Sequence, residues 1–389
     1  MLTYEYIVYI VITILLHIGV LFFLTKKKPK KYPLLGRHVV VTGGSQGIGL
    51  WAAVYCARLG AHVTIIARNP QALEKAQRLI KEHVEHPEVQ VIRCKSFDLA
   101  TSTYEETCNM IDTIEDEIYP QTASAPVHML VNCAGMAVCG TIEETSIEDA
   151  HKMMELNYFG TYYPTRYCLE KMKKQKQGTI VITASQAALM GIYGYGAYSA
   201  AKFALRGLAE TIAMEASHCG ISVTLALPAD TDTPGFAEEE KTKPEVTKII
   251  SGSGGLANPR DVAIQIINDA LSKKFFSVSG MESWILTILC SGMAPCRGLL
   301  LNLLMVITIA PLKFIGQIIQ WNFKRIVRNH AEAEQNELFA TERAERMRKA
   351  EEKLKESDAG RKKRPKREKH VTLAEKFSDS DDPTKLKIN

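Results

Sequence analysis

The run R-H-V-V-V-T-G-G-S-Q-G-I-G, residues 37–49, decides the fold. Its first half is short, apolar and β-branched, which is strand composition. Its second half, T-G-G-S-Q-G-I-G (42–49), is a glycine-rich turn that passes into a helical pattern over 47–59. Glycine turns the chain sharply and puts no Cβ in the way of an approaching pyrophosphate. The start of the helix then offers free N–H groups and the positive end of a dipole. The spacing is G-x-x-x-G-x-G, not the commoner G-x-G-x-x-G. Strand, glycine turn and helix in this order make Gly43, Ser45, Gln46, Gly47, Ile48 and Gly49 candidate dinucleotide contacts.

Outward from this run, strands and helices alternate to about residue 281. H-V-T-I-I-A (62–67), V-Q-V-I-R-C (89–94), V-H-M-L-V-N (127–132), T-I-V-I-T-A (179–184) and I-S-V-T-L-A-L (221–227) read as further strands, and 70–85 as a charged helix. Such alternation implies βαβ units, so an α/β fold with a Rossmann-type doubly wound parallel sheet is expected over 37–281. The second strand ends I-I-A-R-N, with Arg68 where a carboxylate would select NAD. Arg68 suits a 2′-phosphate and hence NADPH, or it simply meets solvent. Asp98, followed by Leu99, stands where it can hold an adenine amino group or cap the next helix. N-C-A-G brings Asn132, Ala134 and Gly135 to the end of the fourth strand, where small residues let backbone pass close to the cofactor.

Beyond this domain the composition changes. Residues 6–24 are almost wholly apolar and long enough to span a bilayer, and K-K-K-P-K-K (26–31) follows them. Bases after the apolar run, with no small-residue cleavage site, describe a signal anchor over 1–25 whose lysines stay cytosolic. Residues 119–126 read as a surface loop. Residues 282–321 turn apolar again but are broken by Gly292, Pro295, Gly298 and Pro311. A membrane-associated hairpin or an amphipathic cap on the domain both fit. From 322 to 389 the chain is charged, first with helix-forming i,i+4 pairs over 331–356, then Lys/Asp/Ser-rich and expected to be disordered. It ends K-L-K-I-N, a pattern similar to an endoplasmic-reticulum retrieval signal. The net charge of +5 is mild and sits in basic clusters outside the domain, which argues against a nucleic-acid face. The nine cysteines form no C-x-x-C pair and no zinc spacing, so reduced thiols and no metal site are expected.

The chemistry is expected in Y-G-A-Y-S-A-A-K (195–202). On a helix, Tyr198 and Lys202 share one face. A free phenol has a pKa near ~10, and a neighbouring ammonium favours the phenolate. Tyr198 is thus a candidate acid or base for a carbonyl/alcohol pair. Ser185 ends the fifth strand, where its hydroxyl can meet a substrate oxygen or cap a turn. Asn157 lies within a helical stretch although Asn is a poor helix former, which suggests a task such as holding a water behind the lysine; a tolerated polar residue is the plainer account.

T-G-x-x-x-G-x-G, N-x-A-G, the lone Asn, then Ser and Y-x-x-x-K in this order resemble the short-chain dehydrogenase/reductase family over 37–281. That resemblance implies hydride transfer at a nicotinamide, a catalytic set of Asn157, Ser185, Tyr198 and Lys202, ribose contacts from Tyr198 and Lys202, and a homodimer face on the helices around the Tyr/Lys pair. Cys133 departs from the family's usual second Asn. L-P-A-D-T-D-T-P-G-F-A-E-E (227–239) and the anchor–reductase–apolar plan further resemble the 3-ketodihydrosphingosine reductases. This implies a long-chain keto-amine lipid substrate, NADPH, and an endoplasmic-reticulum membrane location with the catalytic domain facing the cytosol. Asp230 or the Glu238–Glu240 run would then orient the substrate amine, unless it is a solvated acidic loop. Two rivals stand beside this reading: a membrane-bound hydroxysteroid or retinol dehydrogenase, and a non-catalytic membrane scaffold. The intact glycine loop and catalytic set weigh against the scaffold.

Overall fold

The computed structural model describes residues 33–118, 127–252, 255–292 and 299–361, together with Thr13. Apart from Thr13, the expected anchor over 1–25 lies outside the described residues, as do the 119–126 loop and the tail after 361. Seven parallel strands form one sheet in the order β3-β2-β1-β4-β5-β6-β7. They are β1 (His38–Thr42), β2 (His62–Ala67), β3 (Ile92–Ser96), β4 (Met129–Asn132), β5 (Gly178–Thr183), β6 (Ile221–Ala226) and β7 (Phe276–Ser277). The order reverses between β1 and β4, and such a reversal opens a crevice at the carboxyl ends of the strands.

Both faces of the central strands are buried, which is why those strands are rich in Val, Ile and Leu. Val39, Val41, Val63, Ile65, Val131 and Val181 pack under the helices Gly47–Arg58 and Pro259–Leu271. Val40, Ile66, Leu130, Ile180 and Ile182 pack with residues of Tyr104–Ile118, Gly160–Gln175 and Gly196–Glu215 on the other face. Each such side chain contributes about 1.5–3 kcal/mol by leaving water.

Three local features depart from the sequence reading. β3 starts at Ile92 rather than residue 89, because Gln90 is taken up in tying a turn: its amide donates to the carbonyls of Ala57 and Ala61, each at 2.8 Å, and its oxygen accepts from His86 N at 2.8 Å. β7 has only two residues, too short to show a period of two. The helical stretch around Asn157 is interrupted by a π-turn, Glu155–Phe159.

After β7 the helix Met281–Cys290 returns to the domain, with Leu286 and Cys290 against the core. Gln186 Nε2 donates to Ser283 Oγ at 2.6 Å, and Arg206 Nη2 donates to Ser291 O at 3.0 Å. The next helix, Leu299–Arg361, buries Leu312 but exposes Val306, Ile307, Phe314 and Trp321. Among the described residues no helix is long and apolar enough to cross a membrane. The chain divides into two compact units, Met1–Lys324 and Arg325–Asn389. The second is helical as far as Arg361 and carries the i,i+4 ion pair Lys349–Glu345 at 2.9 Å.

Candidate active site

The site is assembled at the crevice between β1 and β4. Thr42, at the end of β1, accepts through Oγ1 from the backbone N–H of both Cys133 and Ala134, each at 3.2 Å. One hydroxyl therefore ties the glycine turn to the N-C-A-G turn. Gly43 has φ +65° and lies so close to this second turn that a Cβ would stand 2.8 Å from Ala134 N. Gln46 precedes the helix in an extended conformation and makes no side-chain cap, so no side chain takes the first-turn N–H groups. Ser45 lies in this turn, Gly47 adopts φ +57°, and a Cβ at Gly49 would meet Gly43 O at 2.4 Å. Ile48 is directed toward the core and packs there. At the end of β2 Arg68 is exposed, and among the described residues its guanidinium has no acidic partner. A free cation there, uncapped N–H groups at a helix start and a turn without side chains fit a phosphorylated dinucleotide.

The other candidate cofactor residues are placed differently. Asp98 Oδ1 accepts from Ala100 N at 3.0 Å, so its carboxylate caps the turn after β3. Leu99 is buried, with its Cβ 3.3 Å from where a Cβ on Gly160 would be. The Asn132 amide points into the domain, donating to Thr165 Oγ1 at 3.0 Å and Val181 O at 3.3 Å. Gly135 is tightly constrained: a Cβ there would stand 2.7 Å from Asn157 Oδ1 and 3.4 Å from Lys202 Nζ.

Those distances also locate the catalytic candidates. Tyr198 and Lys202 lie one turn apart on the helix Gly196–Glu215, with Lys202 Nζ 5.5 Å from the Tyr198 ring centroid. Lys202 is buried and donates to Thr183 O at 3.2 Å. Ser185, just beyond β5, hydrogen-bonds the Tyr198 hydroxyl and accepts from Ala187 N at 3.2 Å. Asn157 donates to the carbonyls of Met136 and Met153, both at 2.9 Å, and accepts from Met136 N at 3.2 Å. Its side chain thus serves a carbonyl at the helix interruption and holds the strand-β4 turn beside Lys202. The four residues converge on one spot from three separate segments.

Electrostatics here differ from the sequence expectation. Lys202 was expected to acidify Tyr198, but the phenol sits above the ordinary tyrosine range. Burial is the largest cause, and the carboxylates of Glu239 and Asp230 add to it; the Ser185 hydrogen bond only partly opposes them. Burial also pulls Lys202 down to about 8, resisted by Cys133 and Glu239. The phenol is therefore neutral at physiological pH, which is the form a proton donor needs. Cys133, at the position of the family's usual Asn, contacts Thr183 Oγ1 at 3.1 Å, and burial pushes its thiol up to about 11.

The acidic segment after β6 carries residues that sequence reasoning undervalued. Thr233 caps the helix Pro234–Glu240, accepting from Phe236 N at 3.0 Å. Lys243 is buried among Asp230 at 3.5 Å, Glu239 at 3.1 Å, and Glu240. Glu238 instead faces solvent and pairs with Lys241 at 2.6 Å. In the sequence Lys243 is one lysine in a charged run, and nothing local marks it as buried.

A dinucleotide crevice with a Ser–Tyr–Lys cluster at its mouth defines a dinucleotide-dependent oxidoreductase. The family model for short chain dehydrogenases matches residues 37–244, and the chain belongs to that family. It is 40% identical over 300 residues to the 3-ketodihydrosphingosine reductase of Bos taurus, covering 77% of this chain and 88% of that protein. It is 41% identical over 300 residues to the 3-dehydrosphinganine reductase of Danio rerio, with the same coverage. Among solved structures, a short chain dehydrogenase from Escherichia coli CFT073 complexed with NADPH superposes with a TM-score of 0.54 at 26% identity, covering 64% of this chain and 98% of that one.

Proposed function

We propose that this chain reduces 3-ketodihydrosphingosine to dihydrosphingosine with NADPH, in sphingolipid synthesis. The observation that carries the reading is the 40% identity to a 3-ketodihydrosphingosine reductase across most of both chains. The converged Ser185–Tyr198–Lys202 cluster is what a reductase requires. NADPH, when bound, supplies the hydride. Gly43, Gly47, Gly49, Ala134 and Gly135 line the cradle, and Arg68 holds the 2′-phosphate. Asp98, Leu99 and Asn132 shape the adenine side and the turn after β4, the last two from within the packed domain.

Reduction of a ketone needs a proton at the oxygen as the carbon is reduced. Tyr198 donates it from its hydroxyl. Ser185 donates a hydrogen bond to the same oxygen and so fixes the carbonyl beside Tyr198. The phenolate left behind is stabilised by Lys202, whose ammonium lies on the same helix face. Asn157 orients the Met136 turn and keeps Lys202 in reach of a proton path to solvent. Burial raises the cost of forming the phenolate, so the step depends on Lys202 being charged when the proton leaves.

Residues 1–25 anchor the chain in the endoplasmic-reticulum membrane with the reductase domain on the cytosolic side, residues 282–321 associate with that membrane, and 322–389 form a charged tail. The apolar composition of 6–24 and the exposed Val306, Ile307, Phe314 and Trp321 support this. A single-chain lipid ketone is then met where it resides. The chain forms a homodimer through the helix that follows Asn157, a reading supported by the exposed Phe159 and its neighbours Tyr158 and Tyr163. NADPH oxidation measured with 3-ketosphinganine, a steroid ketone and retinal side by side tests the function. Turnover of a steroid or of retinal, with none of the sphingoid ketone, would overturn it.

A further inference from the structure

The residues between β6 and the helix Pro259–Leu271 are fastened at three points, two at the start of the Tyr198 helix and one in the loop after β4. Thr247 Oγ1 donates to Tyr193 O at 2.8 Å. Cys139 N donates to Thr242 Oγ1 at 3.0 Å. The Tyr195 hydroxyl donates to Glu239 Oε1. The third point is the most enclosed. Tyr195 is buried, and its ring centroid lies 5.5 Å from that of Tyr198. Glu239 is held from behind by Lys243 Nζ at 3.1 Å, and Lys243 lies 4.5 Å from the Phe236 ring centroid.

This arrangement bears on the expectation that the acidic run orients the substrate amine. Lys243 already supplies an ammonium to Asp230, Glu239 and Glu240, and Glu238 faces away. The Glu239 carboxylate spends an oxygen on Tyr195.

We propose that Glu239 is a positioning residue for the proton transfer: anchored by Lys243 and gripping the Tyr195 hydroxyl, it fixes the Tyr195 ring against Tyr198 and so aims the Tyr198 hydroxyl at Ser185. Its charge acts in the same direction. The groups facing Tyr198 are Glu239 and Asp230 from the segment after β6, Cys139 from the loop after β4, Ser185 from beyond β5, and Lys202 from its own helix. Of the two carboxylates, Glu239 does more than Asp230 to hold the phenol in its proton-bearing form. A proton donor must keep its proton until the ketone is in place.

The proposal rests on Tyr198 being the proton donor, and the test separates the two ideas. The full chain in membranes is assayed with NADPH across about pH 6 to about pH 10, a span that brackets the Lys202 pKa of about 8. Ketones with a free and with an acylated amine are compared. Fluorescence of bound NADPH shows that each variant is folded. Glu239→Gln should lower kcat about tenfold and move the alkaline limb, which Lys202 sets, about one pH unit lower, because the carboxylate that favours its ammonium has gone. Glu239→Asp should restore the limb. Tyr195→Phe should lower kcat for both ketones alike and leave the KM for NADPH unchanged. An unmoved limb in Glu239→Gln, or a loss confined to the free-amine ketone, overturns the positioning role; the latter would make Glu239 an ammonium-binding residue instead. Full turnover by Tyr198→Phe would sink the proton-donor reading and this proposal together, whereas an inactive Tyr198→Phe beside an unmoved limb sinks only the role of Glu239.

Discussion

The two edges of the sheet bury polar groups for opposite ends. At the amino-terminal edge stand three histidines: His38 opening β1, His62 opening β2, and His128 just before β4. His38 is buried with Nε2 2.9 Å from Thr64 Oγ1, and His62 Nδ1 accepts from Val91 N at 3.0 Å. Burial holds His38 down to about 3 and His128 down to about 4, and lowers His62. All three are neutral and spent on structure. At the carboxyl edge, Tyr198 and Lys202 are also withdrawn from water, yet they sit where protonation can change. One edge keeps charge out; the other keeps it unresolved. The same desolvation thus yields stability where no charge is wanted and reactivity where opposed charges share a cleft.

The largest effect that would break this contrast lies at the reactive edge. Tyr198→Phe should cut kcat by roughly 10²–10⁴-fold, the usual worth of a positioned acid, while NADPH still binds; retained turnover would strip that edge of its chemistry. The next lies at the quiet edge. His38 folds with a depressed pKa, so the unfolded chain binds more protons between its own pKa and about 3. Stability is therefore fully present above about pH 6.5 and falls as the pH drops. At pH 4 His38 alone should cost roughly 3 kcal/mol, read as a lower midpoint of urea unfolding. His38→Asn should flatten that slope, and an unchanged slope would show that the edge is not what acid attacks. Gly43→Ala should follow, because a Cβ at φ +65° and 2.8 Å from Ala134 N must push the two turns apart. NADPH affinity should fall by about a hundredfold, on the order of 2.7 kcal/mol, with the melting temperature far less affected. The smallest is Arg68→Ala, expected to reduce the preference for NADPH over NADH about tenfold, or about 1.4 kcal/mol. Equal loss of both cofactors would mean that Arg68 is not selecting on the 2′-phosphate.

How much of this could be read beforehand depends on the range over which each effect acts. The glycine turn was legible because a left-handed backbone and a missing Cβ are local demands, and T-G-G-S-Q-G-I-G states them within one strand–helix junction. The strands of the centre were legible because both faces are buried. The start of β3 was not, since Gln90 draws its partners from residues far away in the chain. The candidate catalytic residues could be grouped from their spacing, but their protonation could not be read from it. Tyr198's surroundings are set by Glu239 and Asp230, which the folding of another segment brings to it. Lys243 was the least legible of all: its composition is that of a surface lysine, and only the packed structure shows it enclosed.

The link from Gln186 to Ser283, with that from Arg206 to Ser291, has a practical side. Gln186 directly follows Ser185, so the ten-residue helix Met281–Cys290 braces the very turn that presents Ser185. Trimming the protein back to its seven strands for easier handling would discard that brace, and a sluggish fragment obtained in this way would report its missing buttress rather than the native turnover.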